Sequence, residues 1–354
     1  MPRKKGTLSK AATLAHEINS ALGTTISLGN DPSFEIVRVP TGSLTLDRVT
    51  GGGFPLGRHV ELYGDESACK SYITYSCMAQ SQRRGKLCAL IDPAKSFDRK
   101  WFKHLGGRPN ELLLQHPSNA DEGVAVMMML SKYAQERELE VITVDDVSSF
   151  VPREDLEKDP REEDRIASQA RLMSRALRKI TTVNKRILFL WINQERTDVG
   201  VRFGNPRTTS GGKALRYYAT TRIEMRRSAK VLGKRPAVKR SKLVNSEIAV
   251  GRWIQVRVEK DKSGRPYREG SFIFDAERGE ISRPSEIIEL GLLDGLLSRT
   301  GNTFRYIDLE DIEWSGTYER FVRQLRDNPE VAGEIEVAIA DNTIQMAADF
   351  GGRE

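Results

Sequence analysis

A chain of 354 residues is long enough for a full α/β core with smaller appendages, which excludes a single small module and predicts two or three domains. Its 56 lysines and arginines against 49 acids leave a net charge of +7, which points to a polyanionic partner and says nothing of the fold. No apolar run reaches membrane-spanning length and the basic start Pro2-Arg3-Lys4-Lys5 leads into no signal-peptide core, so a cytoplasmic protein with no membrane partner is expected.

Residues 9–22 place Ala11, Leu14, Ala15, Ile18 and Leu22 at helical spacing behind Ser9 as a cap. That stripe needs a surface to pack on, in this chain or in a neighbouring subunit. Residues 23–40 read as a linker with a short strand at 35–39. From 41 to about 274, apolar runs alternate with amphipathic stretches, the mark of a largely parallel sheet covered by helices. Strands are expected at 60–63, 87–92, 112–115, 141–145 and 187–194, and helices at 70–84, 97–105, 120–137 and 166–183. Gly85 is a suitable stop for the first of these helices. Cys69 and Cys77 would stand about 12 Å apart along its axis, beyond disulfide reach. With Cys88 they show neither C-x-x-C spacing nor neighbouring histidines, which argues against a zinc site.

Residues 60–71 run from an apolar strand through a loop that closes on Lys70-Ser71 and opens a helix. This is the layout of a phosphate-binding P-loop, G-x-x-x-x-G-K-[ST], with Cys69 where its last glycine belongs. In such a loop, backbone N–H groups and the helix N-terminus cradle phosphates, the lysine reaches the terminal phosphate and the hydroxyl holds magnesium. Gly64, Lys70 and Ser71 supply three of these parts, although Lys-Ser at the start of a surface helix is also ordinary. Asp145 ends the apolar run 141–145, where a P-loop protein keeps a carboxylate that supports magnesium. Both features would lie beyond the carboxyl ends of the strands, where ligands of open α/β sheets collect.

Residues 194–213 are rich in glycine and polar side chains and read as a long loop of the kind that is usually functional or disordered. Arg196, Arg202, Arg207 and Lys213 can pair with phosphates there, and Val199, Val201 and Phe203 can contact bases. A second basic stretch from Arg226 to Lys242 holds no acid, which tips it from a solvated face toward a nucleic-acid contact. From 275 onward the pattern changes to short helices at 284–293 and 318–326 and a weak strand at 304–307, read as a small separate α+β domain.

Several segments, taken in order, resemble the bacterial RecA recombinase family. They are 41–47 (Thr-Gly-Ser-Leu-Thr-Leu-Asp), 57–64 (Gly-Arg-His-Val-Glu-Leu-Tyr-Gly), Ile192-Asn193-Gln194, Phe203-Gly204-Asn205-Pro206, 211–215 (Gly-Gly-Lys-Ala-Leu) and 219–227 (Ala-Thr-Thr-Arg-Ile-Glu-Met-Arg-Arg). The similarity keeps one register from about 8 to 339. It implies an α/β fold in three parts: an N-terminal helix and linker (1–35) that docks on the next protomer, a RecA-type P-loop ATPase core (36–274) with a mainly parallel sheet, and a small α+β domain (275–354) that binds duplex DNA. It further implies a homo-oligomeric helical filament on single-stranded DNA, with ATP and Mg2+ at protomer interfaces.

Carried over position by position, Gly64, Glu66, Ser67, Ala68, Cys69, Lys70 and Ser71 form the nucleotide cradle, and Ser71 and Asp145 hold the metal. Asp98 and Trp101 match adenine-contacting positions, where an indole face suits stacking on a base. Gln194 matches the sensor of the terminal phosphate, and Lys260 and Lys262 match a pair that reaches the neighbour's ATP. DNA contacts are implied for a first loop at about 155–166 with Ile166, for Ser174 and Arg178, and for a second loop with Val199, Gly211, Gly212 and Lys213. Ile166 and Val199 stand where the family wedges apolar side chains between bases.

Four departures accompany the match. The first loop is acidic at Glu157, Asp159, Glu162, Glu163 and Asp164, whereas the stretch from Arg226 is longer and more basic than its counterpart. Ala94 stands where the family carries the glutamate that activates water, and loss of a general base removes about 10²–10⁴ in rate. Cys69 sets a side chain where backbone must approach phosphate. Two functions are therefore carried forward: a strand-pairing recombinase with weak hydrolysis, and a non-hydrolysing paralogue that regulates, loads or caps another recombinase.

Overall fold

The computed structural model describes residues 9–156, 165–197, 207–239 and 242–351. The chain divides into two compact units, 1–37 and 38–354. In the first, α1 (Lys10–Leu22) starts at Ser9, whose Oγ accepts from Ala12 N at 3.2 Å, and ends at Gly23 in the left-handed conformation. No residue of α1 is buried.

The second unit opens with β1 (Arg38–Val39), α2 (Leu44–Thr50) and β2 (Phe54–Pro55), the two strands pairing antiparallel. Then come β3 (His59–Gly64), α3 (Lys70–Arg83), β4 (Leu87–Ile91), α4 (Arg99–His104), β5 (Leu112–Gln115), α5 (Ala120–Arg137) and β6 (Leu139–Val144). The short α6 (Arg153–Leu156) and long α7 (Arg165–Val183) precede β7 (Leu188–Thr197), β8 (Arg207–Thr209) and α8 (Ala214–Tyr218). The strands β9 (Thr221–Lys239), β10 (Lys242–Asp261), β11 (Glu269–Asp275) and β12 (Glu280–Ile281) complete the layer.

One sheet runs β12-β11-β10-β9-β3-β7-β6-β4-β5. From β9 to β5 every neighbour is parallel, as expected for strands joined through helices. Strands β4, β6 and β7 are mostly apolar because both faces of this part of the sheet are covered. Cys88, Leu90, Val141, Leu188 and Leu190 face α3 with Ile73 and Met78, while the alternate residues Ala89, Ile91, Ile142, Phe189 and Trp191 face α5 and α7 with Met127, Met173 and Leu177. Among the described residues no helix is long and apolar enough to cross a membrane.

The sheet is more mixed than its sequence suggests, since β9 to β12 form an antiparallel flank. The basic stretch after Arg226 belongs to this flank: β9 and β10 pair from Thr221↔Asp261 out to Lys239↔Lys242, making one long ribbon. Charges on both sides of each strand hide the alternation by which such a strand is recognised.

The C-terminal region holds α9 (Arg283–Leu293), an antiparallel sheet of β13 (Ser298–Thr300), β14 (Thr303–Ile307) and β15 (Glu313–Gly316), then α10 (Tyr318–Asp327) and α11 (Pro329–Gly351). Its apolar cluster includes Ile287, Phe304, Phe321, Ile335 and Ile339, and also Leu44 from α2. Glu286 accepts from Ser43 Oγ at 2.5 Å and Thr45 N at 3.0 Å, and Arg48 pairs with Asp294, so this region is continuous with the main layer rather than separate from it.

Candidate nucleotide site and its link to the second loop

β3 delivers the chain to the carboxyl edge of the sheet at Gly64, where φ is +129° and a Cβ would come 2.2 Å from the Met225 carbonyl oxygen. Only glycine permits that approach of β3 to β9. The next N–H, of Asp65, donates to the same carbonyl at 3.1 Å. Ser67 and Cys69 then take left-handed φ values of 54° and 64°. Such turns aim N–H groups into one concavity ahead of α3, a shape suited to anions. Glu66 and Ser67 are exposed, Ala68 is buried, and Cys69 is half-buried against the core. Burial pushes the Cys69 thiol up to about 12, so it contributes bulk rather than charge or nucleophilicity.

Lys70 is buried, and its ammonium donates to the carbonyl oxygens of Gly64, at 3.2 Å, and Asp65. Burial lowers its pKa, against the pull of Asp65, Asp145, Asp146 and Glu66. Asp145 closes β6 beside it. Burial first, then Asp146 and Asp92, raise the Asp145 carboxyl to about 6, while the Ser71 hydroxyl and Lys70 act in the opposite direction. Its Oδ2 is buried without a hydrogen-bond partner among the described residues. An unsatisfied carboxylate oxygen beside a hydroxyl suits Mg2+, which takes one or two protein oxygens and completes its shell with phosphate and water. The cradle, lysine, hydroxyl and carboxylate therefore fit a magnesium nucleotide.

Asp92 is fully buried, and its carboxylate is spent on its own turn, accepting from Ser96 N at 3.0 Å and Phe97 N at 2.9 Å. Ala94 lies exposed on that turn and offers no acceptor. Asp98 Oδ1 caps α4 by accepting from Lys100 N and Trp101 N, which lowers its pKa, so this carboxylate already serves the helix. Trp101 is half-buried, its ring 5.7 Å from that of Tyr75 and 6.2 Å from that of Tyr72.

Gln194 lies on β7, the strand next to β3, and its Nε2 donates to Asp146 Oδ2 at 2.6 Å. Its neighbour Asn193 is buried and donates through Nδ2 to Glu61 Oε1 at 2.9 Å and the Ser210 carbonyl at 3.0 Å; its Oδ1 accepts from Gln194 N and Ser210 N. Arg222 donates to the other oxygen of Glu61 and lies 4.4 Å over the Tyr63 ring. One buried network thus fixes the P-loop strand, Gln194 and the far end of the second loop.

That loop leaves and returns through the pair β7–β8, with Glu195 opposite Thr209 and Thr197 opposite Arg207. Arg196 and Arg207 lie on this ribbon, whereas Val199, Val201, Arg202 and Phe203 fall outside the described residues. Gly211 and Gly212 follow in left-handed turns, and a Cβ on Gly212 would meet Ala170 Cβ at 2.7 Å. Lys213 is exposed at the start of α8. On α7, Ser174 is half-buried and Arg178 exposed one turn later. Ile166 falls in the first turn of α7, and 157–164 of the first loop lie outside the described residues.

Lys260 and Lys262 stand away from the P-loop of their own chain. Gly64 aligns with Met225 and Met225 with Val256, whereas Lys260 aligns with Arg222, toward the other end of β3. Lys260 donates to the carbonyls of Arg216, at 2.7 Å, and Tyr217, at 3.1 Å; burial, then Lys262 and Arg222, lower its pKa to about 8. Lys262 is exposed. Arg226 is not the free cation its sequence surroundings suggest, since it pairs with Asp65 at 3.3 Å, Glu195 at 3.1 Å and also Glu224.

Gln194 and Asp145 are among the residues expected from sequence, whereas the roles of Asp146, Glu61, Asn193 and Arg222 emerge only from the structure. The signals are there: an acid doublet at a strand end, and single polar residues inside apolar strand runs.

A family model described as RecA N-terminal domain matches residues 10–279. Protein RecA of Rickettsia bellii (strain RML369-C) is 34% identical over 340 residues, covering 95% of this chain and 93% of that protein. Protein RecA of Thermus thermophilus is 32% identical over 357 residues, covering 100% and 99%, and that of Cereibacter sphaeroides (strain ATCC 17023) is 36% identical over 319 residues, covering 89% and 87%.

Proposed function

The chain belongs to the RecA family, and from that premise we propose that it is an ATP- and DNA-binding recombinase that forms helical filaments on single-stranded DNA and pairs them with homologous duplex. The observation that carries this reading is the unpartnered Oδ2 of Asp145 beside Ser71 and Lys70, under a left-handed loop. Lys70, Ser71 and the N–H groups of 66–70 bind and orient the phosphates, and Ser71 and Asp145 hold Mg2+. Bound magnesium would supply charge neutralisation at the terminal phosphate. Trp101 offers a ring to the base. Gln194 senses the terminal phosphate and, through β7, passes its state to the second loop, where Arg196, Arg202, Arg207, Gly211, Gly212 and Lys213 meet DNA with Val199; Ile166, Ser174 and Arg178 belong to the first-loop side. Lys260 and Lys262, remote from their own P-loop, serve the nucleotide of a neighbouring protomer, so assembly completes the site.

Hydrolysis is slow in this reading because no carboxylate occupies position 94. The same observation favours a second reading, a non-hydrolysing paralogue that loads, regulates or caps another recombinase. Purified protein mixed with single-stranded DNA and ATP, assayed for phosphate release and imaged by electron microscopy, separates them. Regular filaments with little phosphate release are expected. Nucleotide binding without filaments favours the paralogue, and absence of both nucleotide binding and filaments overturns both readings.

A further inference from the structure

Asp146 is buried, and its two oxygens have separate partners. Oδ1 accepts from Ser149 N at 2.9 Å and Ser148 Oγ at 2.8 Å, capping the turn Val147–Ser149. Oδ2 accepts from Gln194 Nε2 at 2.6 Å. A carboxylate oxygen takes the nitrogen end of an amide, so this contact fixes which way the Gln194 side chain points. Its backbone N–H is held in turn by Asn193 Oδ1 at 2.9 Å. Gln194 is thus tied by its side chain to the end of β6 and by its backbone to the root of the second loop.

We infer that Asp146 is a positioning residue that holds Gln194 in its nucleotide-free orientation and competes with the terminal phosphate of ATP for the Gln194 amide. The inference rests on the reading of Gln194 as the phosphate sensor. Gln194 aligns with Gly64 on the neighbouring strand and Lys70 Nζ donates to the Gly64 carbonyl at 3.2 Å, so a phosphate drawn to Lys70 arrives on the side of the sheet where Gln194 and Asp146 meet. The amide nitrogen carries two N–H groups, and the one held by Asp146 fixes its orientation, so the carboxylate and the phosphate compete over where the amide points rather than for a single proton. Freeing or sharing that amide costs part of the Asp146 hydrogen bond, and this cost sets the nucleotide level at which the second loop is committed to DNA. Asp146 therefore tunes the coupling between ATP and DNA without being required for either contact.

The test uses the full-length protein, a labelled single-stranded oligonucleotide and a slowly hydrolysed ATP analogue. Asp146→Asn keeps an oxygen to cap Ser149 and replaces the other by an amide nitrogen; Asp146→Ser keeps a capping hydroxyl but loses the reach to Gln194. Both are expected to lower the analogue concentration at half-maximal DNA binding by about tenfold, the worth of one such hydrogen bond. In a Gln194→Ala background neither produces a further shift. An unchanged or raised midpoint, a shift that persists without Gln194, or an equal gain in ADP affinity overturns the inference. If Gln194→Ala alone leaves DNA binding as nucleotide-dependent as before, the sensor reading fails and takes the inference with it; a defective Gln194→Ala beside a wild-type-like Asp146→Asn removes only the role of Asp146.

Discussion

Two side chains at the candidate nucleotide site depart from what phosphate chemistry asks of such a site, and they do so in different ways. Ala94 removes an acceptor from an exposed turn, while Asp92, the nearest buried carboxylate on that strand end, is already bound by Ser96 and Phe97 and has no freedom to replace it. Cys69 adds a neutral thiol in a left-handed conformation that costs a side-chain-bearing residue about 1–2 kcal/mol and that glycine would adopt freely. Restoring both at once, Ala94→Glu with Cys69→Gly, is expected to raise DNA-dependent ATP turnover by about a hundredfold or more, measured as phosphate release at saturating DNA. No gain from the double variant would place the deficit elsewhere in the site.

At the scale of elements, the decisive feature is how β3, β7 and β9 are tied below their carboxyl ends. Glu61, Asn193 and Arg222 come from three adjacent strands, with the Arg222–Glu61 contact at 2.5 Å and both side chains buried. Burying two charges is offset only while each has its partner. Arg222→Met, which leaves Glu61 without its cation, is therefore expected to lower stability by about 3–5 kcal/mol in urea titrations, and the further change Glu61→Leu should recover most of that loss. If the single and double variants are equally destabilised, the arginine acts by packing over Tyr63 instead. The ribbon β9–β10 adds a second consequence: Arg226 lies at its base and bridges the P-loop residue Asp65 to Glu195 at the root of the second loop, so the most N-terminal cation of the basic stretch is structural.

For the whole molecule, the division at 37/38 leaves α1 with an apolar stripe and no buried residue. Removing 1–37 is expected to change the melting temperature of the remainder by no more than about 2 °C while abolishing filament assembly, read by calorimetry and by sedimentation. A large loss of stability would mean that the helix serves its own chain. How much of this was legible in advance follows from what each feature depends on. The P-loop strand, the helix behind it, the strand at 112–115 and the helix at 120–137 are written in contiguous residues, because apolar spacing and turn chemistry act over a few positions. Charge hides the strand character of 221–239, and the four-residue recurrence of Val331, Ile335 and Ile339 is too sparse a signal to mark out α11. The contacts that make a site of these parts join residues far apart: Asp146 to Gln194 across 48 positions, Glu61 to Asn193 across 132, Glu61 to Arg222 across 161. By itself the sequence determined most elements of the parallel layer, the P-loop pattern at 60–71 and the family resemblance, since these are local patterns kept in order. Only the tertiary structure decided which polar groups find each other inside the sheet, because that depends on strand order and on the cost of leaving a buried donor or acceptor unpaired.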